Sequence, residues 1–293
     1  MRTFLKQLFY FIVFSIAFFV LINVLYMTVI VSTDWDFKKR LESIKFDDPD
    51  FELLALGSST AFDAIDTELL TLNGVKSYNL AMGGNSVRSS YFQLKEYLSI
   101  YTGKPRFILL CLSSYGEDFT LEDVHPIVEV TSVNHKYSLE DVPILKFKWL
   151  GFEFLKKIVS IQHRRAKLSY GQLKFQKIIF DDTDYEKKYL DIKKFESAGW
   201  IREIAKLCTQ NEMELIIIEQ PGYKHTQNLS DIGPYILNFN NGYSAPLYNF
   251  NNQDFCRIFD AERDWIGNSH LNEFGAVKLT KELIKFVKFN STP

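Results

Sequence analysis

Apolar residues run almost unbroken near the start of the chain. The run extends from Leu8 to Val31, and only weakly polar residues interrupt it, at Ser15, Asn23 and Thr28. Because about 20 helical residues at roughly 1.5 Å each span the roughly 30 Å hydrocarbon core of a bilayer, the run predicts a transmembrane helix. A buried core helix rarely runs this long without a charge. A signal peptide would need a small-x-small cleavage site, which is not evident in this segment.

Three further regions follow this anchor, which occupies residues 1–32. Residues 33–50 are polar and charged, which is typical of a stalk or a short surface helix. A single α/β domain is expected over 51–293, since such domains commonly reach about 200 to 250 residues. Within it, the interval of about 115–191 is too long for an ordinary loop, so we expect a helical insertion there.

Short apolar runs alternate with segments of helical spacing in this domain. Apolar runs that are buried on both faces are typical of a parallel sheet, and the helical segments fit its crossover connections. The predicted strands are Leu53–Leu56, Ser77–Met82, Phe107–Leu112 and Leu215–Glu219. The predicted helices are Val87–Tyr101, Phe195–Asn211 and about Glu273–Lys288, the last capped by Asn272. The pattern predicts a mostly parallel α/β sheet with flanking helices.

Small and polar residues follow the predicted strands. They are Ser58-Ser59, Gly83-Gly84, Ser113-Ser114 and, at the end of the last strand, Glu219-Gln220. Because ligands bind at the carboxyl ends of strands in open α/β sheets, we expect one edge of the sheet to collect these residues. The last pair could line a site or merely close it.

Charge and cysteine content exclude several classes of function. The formal net charge of -2 gives no basic domain or stripe of the kind that binds nucleic acid. The three cysteines lie far apart and predict neither disulfides nor a metal site. Four histidines lack the spacing of metal ligands and are interpreted as surface or structural residues: His125, His135, His163 and His225. No metal or other cofactor is predicted.

Charges around the apolar run indicate its orientation. Arg2 and Lys6 precede it, and Asp34 and Asp36 follow it, although the basic run 38–40 comes soon after. The excess of basic residues on the cytoplasmic side of membrane helices favours a cytoplasmic N-terminus. The body of the protein is then expected outside the cytoplasm, in a periplasm or on the outer face of the membrane.

The insertion contains a basic segment. Between Leu145 and Lys177 nine basic residues stand against the single acid Glu153, with apolar residues between them. The segment could form a membrane-surface helix beside the anchor. It could also line a groove for an anionic polymer. A third interpretation is a solvated helix that packs its apolar residues into the core, namely Phe154, Leu155, Ile158 and Ile161.

Ser59 and His270 are the candidate nucleophile and base. A serine hydroxyl is a poor nucleophile until a base accepts its proton, and acyl transfer also needs donors for the oxyanion. Ser59 follows the glycine turn at the end of the first strand, and His270 precedes the last helix. Folding has to bring the two together. Alternatively, Ser58 or Ser59 could simply cap the helix that begins near Thr60.

The blocks around these residues resemble the SGNH (GDSL-type) hydrolase superfamily, and more closely its membrane-anchored, extracytoplasmic branch. Gly57-Ser58-Ser59 matches the block that ends in the nucleophile, and Gly84 stands five residues after Asn79, as in the second block. His270, followed by Gly275-Ala276, matches the last block. The resemblance covers about 51–114 and 195–288. It implies a flavodoxin-like sheet, Ser59 as nucleophile, and an oxyanion hole formed by the N–H groups of Ser59 and Gly84.

Two positions depart from the family pattern. The asparagine that normally follows the third strand is absent, so Ser114 or Tyr115 is the candidate substitute for this oxyanion donor. The aspartate expected three residues before the histidine is replaced by Gly267. Asp264, six residues before His270, is the candidate partner of the imidazole if the loop bends back; a main-chain carbonyl is the other candidate.

The resemblance implies a serine acyl esterase or O-acyltransferase that works through an acyl-serine. Its expected substrates are cell-envelope or exported polysaccharides or other acyl esters. The expected membrane contact is the N-terminal helix, and an integral-membrane partner could deliver acyl groups. The two departures also fit a catalytically inactive scaffold or polysaccharide-binding protein with the same fold.

Overall fold

The structure is a computed structural model of the chain. It describes residues 1–44, 50–113, 123–132, 142–159, 168–174, 191–223, 231–239, 242–267 and 270–287. The chain divides into two compact units. The N-terminal unit comprises Met1–Lys39 and Pro126–Arg164, and the sheet unit comprises Arg40–His125 and Arg165–Pro293.

The strands confirm the predicted mostly parallel sheet. They are β1 (Leu53–Gly57), β2 (Ser77–Asn79), β3 (Phe107–Leu112), β4 (Leu168–Ser169), β5 (Gln172–Leu173), β6 (Glu214–Glu219), β7 (Tyr235–Phe239) and β8 (Tyr243–Asn249). Six of them form one sheet in the order β2-β1-β3-β6-β8-β7, in which only β7 runs antiparallel to its neighbour. β4 and β5 form a separate antiparallel pair. All four predicted strands belong to the six-stranded sheet.

Twelve helices occur in the described ranges. They are α1 (Arg2–Ser32), α2 (Asp36–Ile44), α3 (Ser59–Ala64), α4 (Thr67–Leu72), α5 (Val87–Ile100), α6 (Pro126–Thr131), α7 (Pro143–Lys146), α8 (Lys148–Val159), α9 (Ile192–Ser197), α10 (Gly199–Gln210), α11 (Gln253–Cys256) and α12 (Glu273–Phe286). The helix predicted over Phe195–Asn211 is instead divided, because Ala198 is extended (φ -68°, ψ 109°) between α9 and α10. The neighbouring Gly199 has low helix propensity, which favours a break at this point.

Four strands were not predicted: the pair β4 and β5, which lies inside the insertion expected to be helical, and β7 and β8 of the six-stranded sheet. Pro246 lies inside β8, and proline normally argues against a strand because it cannot donate to the ladder. It is tolerated because the parallel pairing of β8 with β6 begins one residue later, at Leu247. The dipeptide Asn241-Gly242, which separates β7 and β8 in the sequence, is a hairpin signal that could have revealed them.

The centre of the sheet is completely buried and aligns the strand ends. Every residue of β1 and β3 is buried, which explains why they read as continuous apolar runs. Gly57 pairs with Cys111, which pairs with Ile218 on its other side. Ser59, Ser113 and Gln220 each follow two residues later. The register therefore places all three at the same edge of the sheet.

The segment predicted as a stalk or a short surface helix contains α2 and joins the sheet unit from Arg40 onwards. Leu41 and Ile44 in α2 are buried. The buried Arg40 guanidinium donates to the carbonyls of Asn79 (3.2 Å) and Leu80 (3.3 Å). These contacts place the start of the sheet unit at Arg40, before the position near 51 that apolar patterning predicts.

The N-terminal unit is built on α1. This 31-residue helix has a mean hydropathy of 2.6 over its most apolar window and is long and apolar enough to cross a membrane. The first part of the insertion packs on it, forming a small core from Ile30, Trp35, Val130, Phe147 and Leu150. Leu155 and Ile158 are exposed. The structure therefore corrects the interpretation in which both pack into a core; Ile161 lies outside the described residues.

Candidate active site

A tight glycine turn positions Ser59 at the end of β1. Gly57 has φ +149°, and a Cβ at this position would lie 2.6 Å from the carbonyl oxygen of Cys111. The close approach lets the chain turn directly into α3, of which Ser59 is the first residue. Ser58 occupies the N-cap position but its side chain makes no capping hydrogen bond, and its Oγ lies 3.1 Å from Thr60 Oγ1. The turn therefore displays Ser59 and buries Ser58.

The structure brings Ser59 and His270 together from positions 211 residues apart. Ser59 Oγ lies 3.3 Å from His270 Nε2. Both side chains are partly exposed, so a substrate in solution can reach them. This distance is within reach of the proton transfer that a serine nucleophile requires.

Asp63 completes a Ser-His-Asp arrangement. Its Oδ2 lies 2.6 Å from His270 Nδ1, and its side chain is only 7% exposed. Asp63 stands four residues after Ser59, so both project from the same face of α3, one turn apart. An ionised Asp63 accepts a hydrogen bond from the Nδ1–H group, which keeps the ring proton on Nδ1 and leaves Nε2 free to accept the proton of Ser59.

Burial controls the charge of Asp63. Loss of solvent raises the pKa of the Asp63 carboxyl above its ordinary value, while the hydrogen bond and the charge of His270 oppose this rise. A nearby positive charge stabilises the ionised form of a buried carboxyl group. The pair is therefore suited to stabilise the imidazolium that forms when His270 takes up a proton.

Asp264 does not fill the role that its sequence position suggested. Its Oδ2 accepts hydrogen bonds from the Asp260 N–H (2.7 Å) and from Lys278 Nζ (2.5 Å). The chain doubles back here, with Trp265 bridged to Leu271, and this return directs the Asp264 carboxylate to α12 instead of to the imidazole. Asp264 supports the segment that carries His270, and Asp63 takes its expected place at Nδ1.

The sequence pattern does not predict Asp63, because the family pattern places the acid beside the histidine. The available signal was local. An acid four residues after a candidate nucleophile, at the start of a helix, lies one turn away and on the same face. Which face meets His270 depends on the packing of α12 against α3, which no local pattern contains.

The Gly83-Gly84 turn lies against Ser59. A Cβ on Gly83 would be 3.9 Å from Ser59 Cβ, and Gly84 has φ +69°, which favours glycine. The carbonyl of Gly57 holds the turn by accepting from the Met82 N–H (3.1 Å) and from Asn85 Nδ2 (3.2 Å). The turn thus places Gly83 against the candidate nucleophile, with Gly84 as the next residue along the chain.

The remaining candidates from the sequence have separate outcomes. Ser114 and Tyr115, the candidate substitute oxyanion donors, lie outside the described residues. Asn79 is buried and ties β2 to α3, because its Nδ2 donates to the Ala61 carbonyl (2.9 Å). Its Oδ1 accepts from the Ala81 N–H (2.9 Å). Asn79 therefore supports the shape of the site.

Buried polar atoms without hydrogen-bond partners gather at the carboxyl edge of the sheet. In the part of the chain that the structure describes, they include Ser113 Oγ and the amide atoms Nε2 and Oε1 of Gln220. Asn249 Nδ2 and Asn251 Nδ2 belong to the same class. Each buried orphan costs about 1–3 kcal/mol unless a ligand or water satisfies it. This edge is therefore equipped to bind polar groups.

His125 packs against the Gly84 turn. A Cβ on Gly84 would lie 3.7 Å from His125 Cδ2, and the His125 N–H donates to Ser89 Oγ (2.7 Å). Burial lowers the pKa of His125 to about 4. The ring therefore stays neutral well below the pH at which an ordinary histidine takes up a proton.

This shift predicts a pH-dependent loss of stability. The unfolded chain binds a proton on His125 below about pH 6.5, whereas the folded chain binds it only near pH 4. Between these values unfolding takes up a proton, so the free energy of unfolding falls with falling pH, by about 3 kcal/mol for this group. Urea unfolding at pH 7 and pH 4.5 should show a smaller fall for His125→Asn than for the parent chain. Equal falls would contradict the assignment.

The described residues contain no cluster of three or more His, Cys, Asp or Glu side chains that could hold a metal ion. Comparison with known proteins adds no identification, since no protein-family model and no curated protein matches the chain.

Proposed function

We propose that the protein is a serine acyl esterase or O-acyltransferase with Ser59, His270 and Asp63 as its catalytic triad. The observation that carries the proposal is the continuous set of contacts from Ser59 Oγ to His270 Nε2 (3.3 Å) and from His270 Nδ1 to Asp63 Oδ2 (2.6 Å). These contacts connect a nucleophile, Ser59, to a base, His270, and the base to an orienting acid, Asp63, as in a serine acyl enzyme.

The first half of the reaction forms an acyl-enzyme. His270 Nε2 takes the hydroxyl proton while Ser59 Oγ attacks the ester carbonyl carbon, and the carbonyl oxygen becomes an oxyanion. Collapse of this intermediate breaks the bond to the alcohol oxygen, which receives the proton from His270 Nε2. Asp63 stabilises the imidazolium in between. The alcohol leaves, and the acyl group stays on Ser59.

The second half releases the acyl group. His270 takes a proton from water or from a sugar hydroxyl, whose oxygen attacks the acyl-serine carbonyl. The Ser59 oxygen leaves with the proton from His270. Water as acceptor gives an acid and makes the protein an esterase, whereas a hydroxyl gives a new ester and makes it a transferase.

Backbone N–H groups are suited to hold the oxyanion in both halves. Ser59 begins α3, so its N–H precedes the first hydrogen bond within that helix, which runs from the Phe62 N–H to the Ser58 carbonyl. The adjacent turn offers the N–H of Gly84. Removing one such donor typically costs about a hundred- to a thousandfold in rate.

The fold is compatible with an SGNH-type hydrolase. Counted along the chain, the five parallel strands of the sheet lie in the order 2-1-3-4-5, which is the flavodoxin-like order. Together with the membrane-compatible α1 and the basic N-terminus, this supports an anchored enzyme whose sheet unit lies outside the cytoplasm. Acyl esters of cell-envelope or exported polysaccharides are the proposed substrates, and the unsatisfied buried amides at the strand ends suit a polar substrate.

A fluorophosphonate probe tests the proposal. The probe reacts with an activated serine, so the full-length protein in detergent should be labelled. Ser59→Ala should abolish labelling, whereas Ser58→Ala should retain it because Ser58 is buried beside Thr60. Labelling that persists in Ser59→Ala would contradict the assignment. An intact chain that is never labelled would favour a non-catalytic scaffold or polysaccharide-binding protein.

A further inference from the structure

The last turns of α1 carry polar contacts at positions where a membrane helix would lie inside the bilayer. The side chain of Asn23 is buried and its Oδ1 accepts a hydrogen bond from the Ile144 N–H (3.1 Å) at the start of α7. Its Nδ2 donates to the Phe19 carbonyl (2.9 Å). Asn23 precedes the end of the apolar run at Val31 by eight residues, which is about 12 Å along a helix.

The contacts continue in order along both segments. The Tyr26 hydroxyl donates to the Phe147 carbonyl (2.7 Å), and a Cβ on Gly151 would lie 2.7 Å from that hydroxyl. At the far end, Lys157 Nζ donates to the carbonyl of Asp34, just beyond the apolar run. The three contacts pair Asn23 with Ile144, Tyr26 with Phe147 and Asp34 with Lys157, so both segments advance in the same direction. α7 and α8 therefore run alongside α1 from within the apolar region to its end.

The other face of α7 and α8 is exposed and mostly apolar. Lys148 is also exposed on it, and its long apolar stem lets the ammonium extend toward the headgroups. Leu145 is 67% exposed, Phe152 64%, Leu155 56% and Val159 77%. Their spacing of three, four and seven residues puts them on one side of the helical segment. On α1, Val24, Leu25 and Val29 are also exposed, so the two segments form a continuous apolar surface.

The charges of α7 and α8 fit a segment whose C-terminal end lies at the membrane surface. Lys156 and Lys157 lie at the end of α8 that reaches Asp34, where lipid headgroups would begin. Lys156 pairs with Glu153 (2.6 Å), and Lys146 pairs with Glu129 (2.7 Å), so the deeper Lys146 is neutralised. Lysines at the surface attract anionic headgroups.

We propose that α7 and α8 form a second membrane-embedded segment. The exposed apolar face meets the acyl chains of the bilayer that holds α1, Leu145 lies deepest, and Lys157 lies at the headgroups. The lipid bilayer is favoured over a protein partner because the face continues the apolar surface of α1. The proposal rests on α1 crossing the membrane and is independent of the catalytic triad.

Depth-dependent quenching tests this arrangement. The full-length protein carries Cys256→Ser and one added cysteine at Leu145 or Val159, which bears an environment-sensitive label; the remaining Cys111 and Cys208 are buried. It is placed in phosphatidylcholine vesicles containing phosphatidylglycerol. Doxyl groups attached to lipid acyl chains quench from within the bilayer, and iodide quenches from water. We expect doxyl groups to quench both labels, the Leu145 label most strongly from deep doxyl positions and the Val159 label from shallow ones.

Two control positions separate the possible outcomes. Lys281→Cys on α12 is exposed in the sheet unit and should be quenched by iodide alone. Phe14→Cys on α1 should be quenched by deep doxyl groups; if iodide reaches it instead, α1 does not cross the membrane and the proposal fails with it. Iodide quenching at Leu145 and Val159 would overturn the proposal. Protection of both from either quencher would also overturn it, in favour of a protein partner or a second copy.

Discussion

Replacing Ser59 with alanine should reduce ester hydrolysis by the full-length protein about a millionfold in kcat, which is the loss seen when the nucleophile of a serine protease is removed. The hydroxyl 3.3 Å from His270 Nε2 is the only atom of that side chain able to form the acyl-enzyme. The measurement is the steady-state hydrolysis of p-nitrophenyl acetate in detergent. His270→Ala should produce a loss of similar size, because the two residues act as one unit.

Ser58→Ala serves as the matched control. Ser58 is adjacent in sequence but buried, and its Oγ contacts Thr60. Its replacement should leave kcat within a few-fold of the parent value. If Ser59→Ala and His270→Ala hydrolyse the ester as fast as the parent chain, the catalytic assignment is wrong and the scaffold function is favoured.

Asp63→Asn should lower kcat by about ten-thousandfold, which is the loss that the equivalent change causes in a serine protease. An asparagine can present its amide N–H to Nδ1, which then becomes the acceptor. The ring proton moves to Nε2, and His270 can no longer take the proton of Ser59. The shape of the site is retained, so KM should change much less than kcat.

Asp264→Asn distinguishes the two candidate acids. The Asp264 carboxylate pairs with Lys278 and accepts from the Asp260 N–H, so its loss should lower the Tm. The activity of the molecules that remain folded should be close to that of the parent chain. A ten-thousandfold loss in Asp264→Asn with none in Asp63→Asn would reverse the roles of the two aspartates.

Much of the fold follows from local patterns in the sequence. The central strands are buried on both faces and therefore appear as continuous apolar runs, and Asn272 caps α12 as its position predicts, accepting from the N–H groups of Phe274 and Gly275. β7 and β8 are half-buried at the edge of the sheet and contain Pro246, so their pattern is weak. The strength of the signal follows the extent of burial.

The site was predictable in part. The strand-to-helix turn and the resemblance singled out Ser59, and the position before the last helix singled out His270. The acid was assigned wrongly by proximity in sequence to His270, because the loop around Asp264 folds back toward α12. Asp63 reaches the imidazole through packing of α12 against α3, between segments more than 200 residues apart. Only the folded chain contains that relation.

The environment of His125 is likewise set by tertiary packing that the sequence pattern does not predict. No partner spacing in the sequence distinguishes it from the other histidines. Its contact with the Gly84 turn and the burial that lowers its pKa arise from tertiary packing.

The acyl-serine is the species that the proposed mechanism requires most directly. Full-length protein is mixed with p-nitrophenyl acetate, quenched with acid during turnover, digested and analysed by mass spectrometry. We predict one added acetyl group on the peptide that contains Ser59, and none on that peptide in Ser59→Ala. Continued turnover with no acetyl group on Ser59, or with the group on a different residue, would contradict the mechanism.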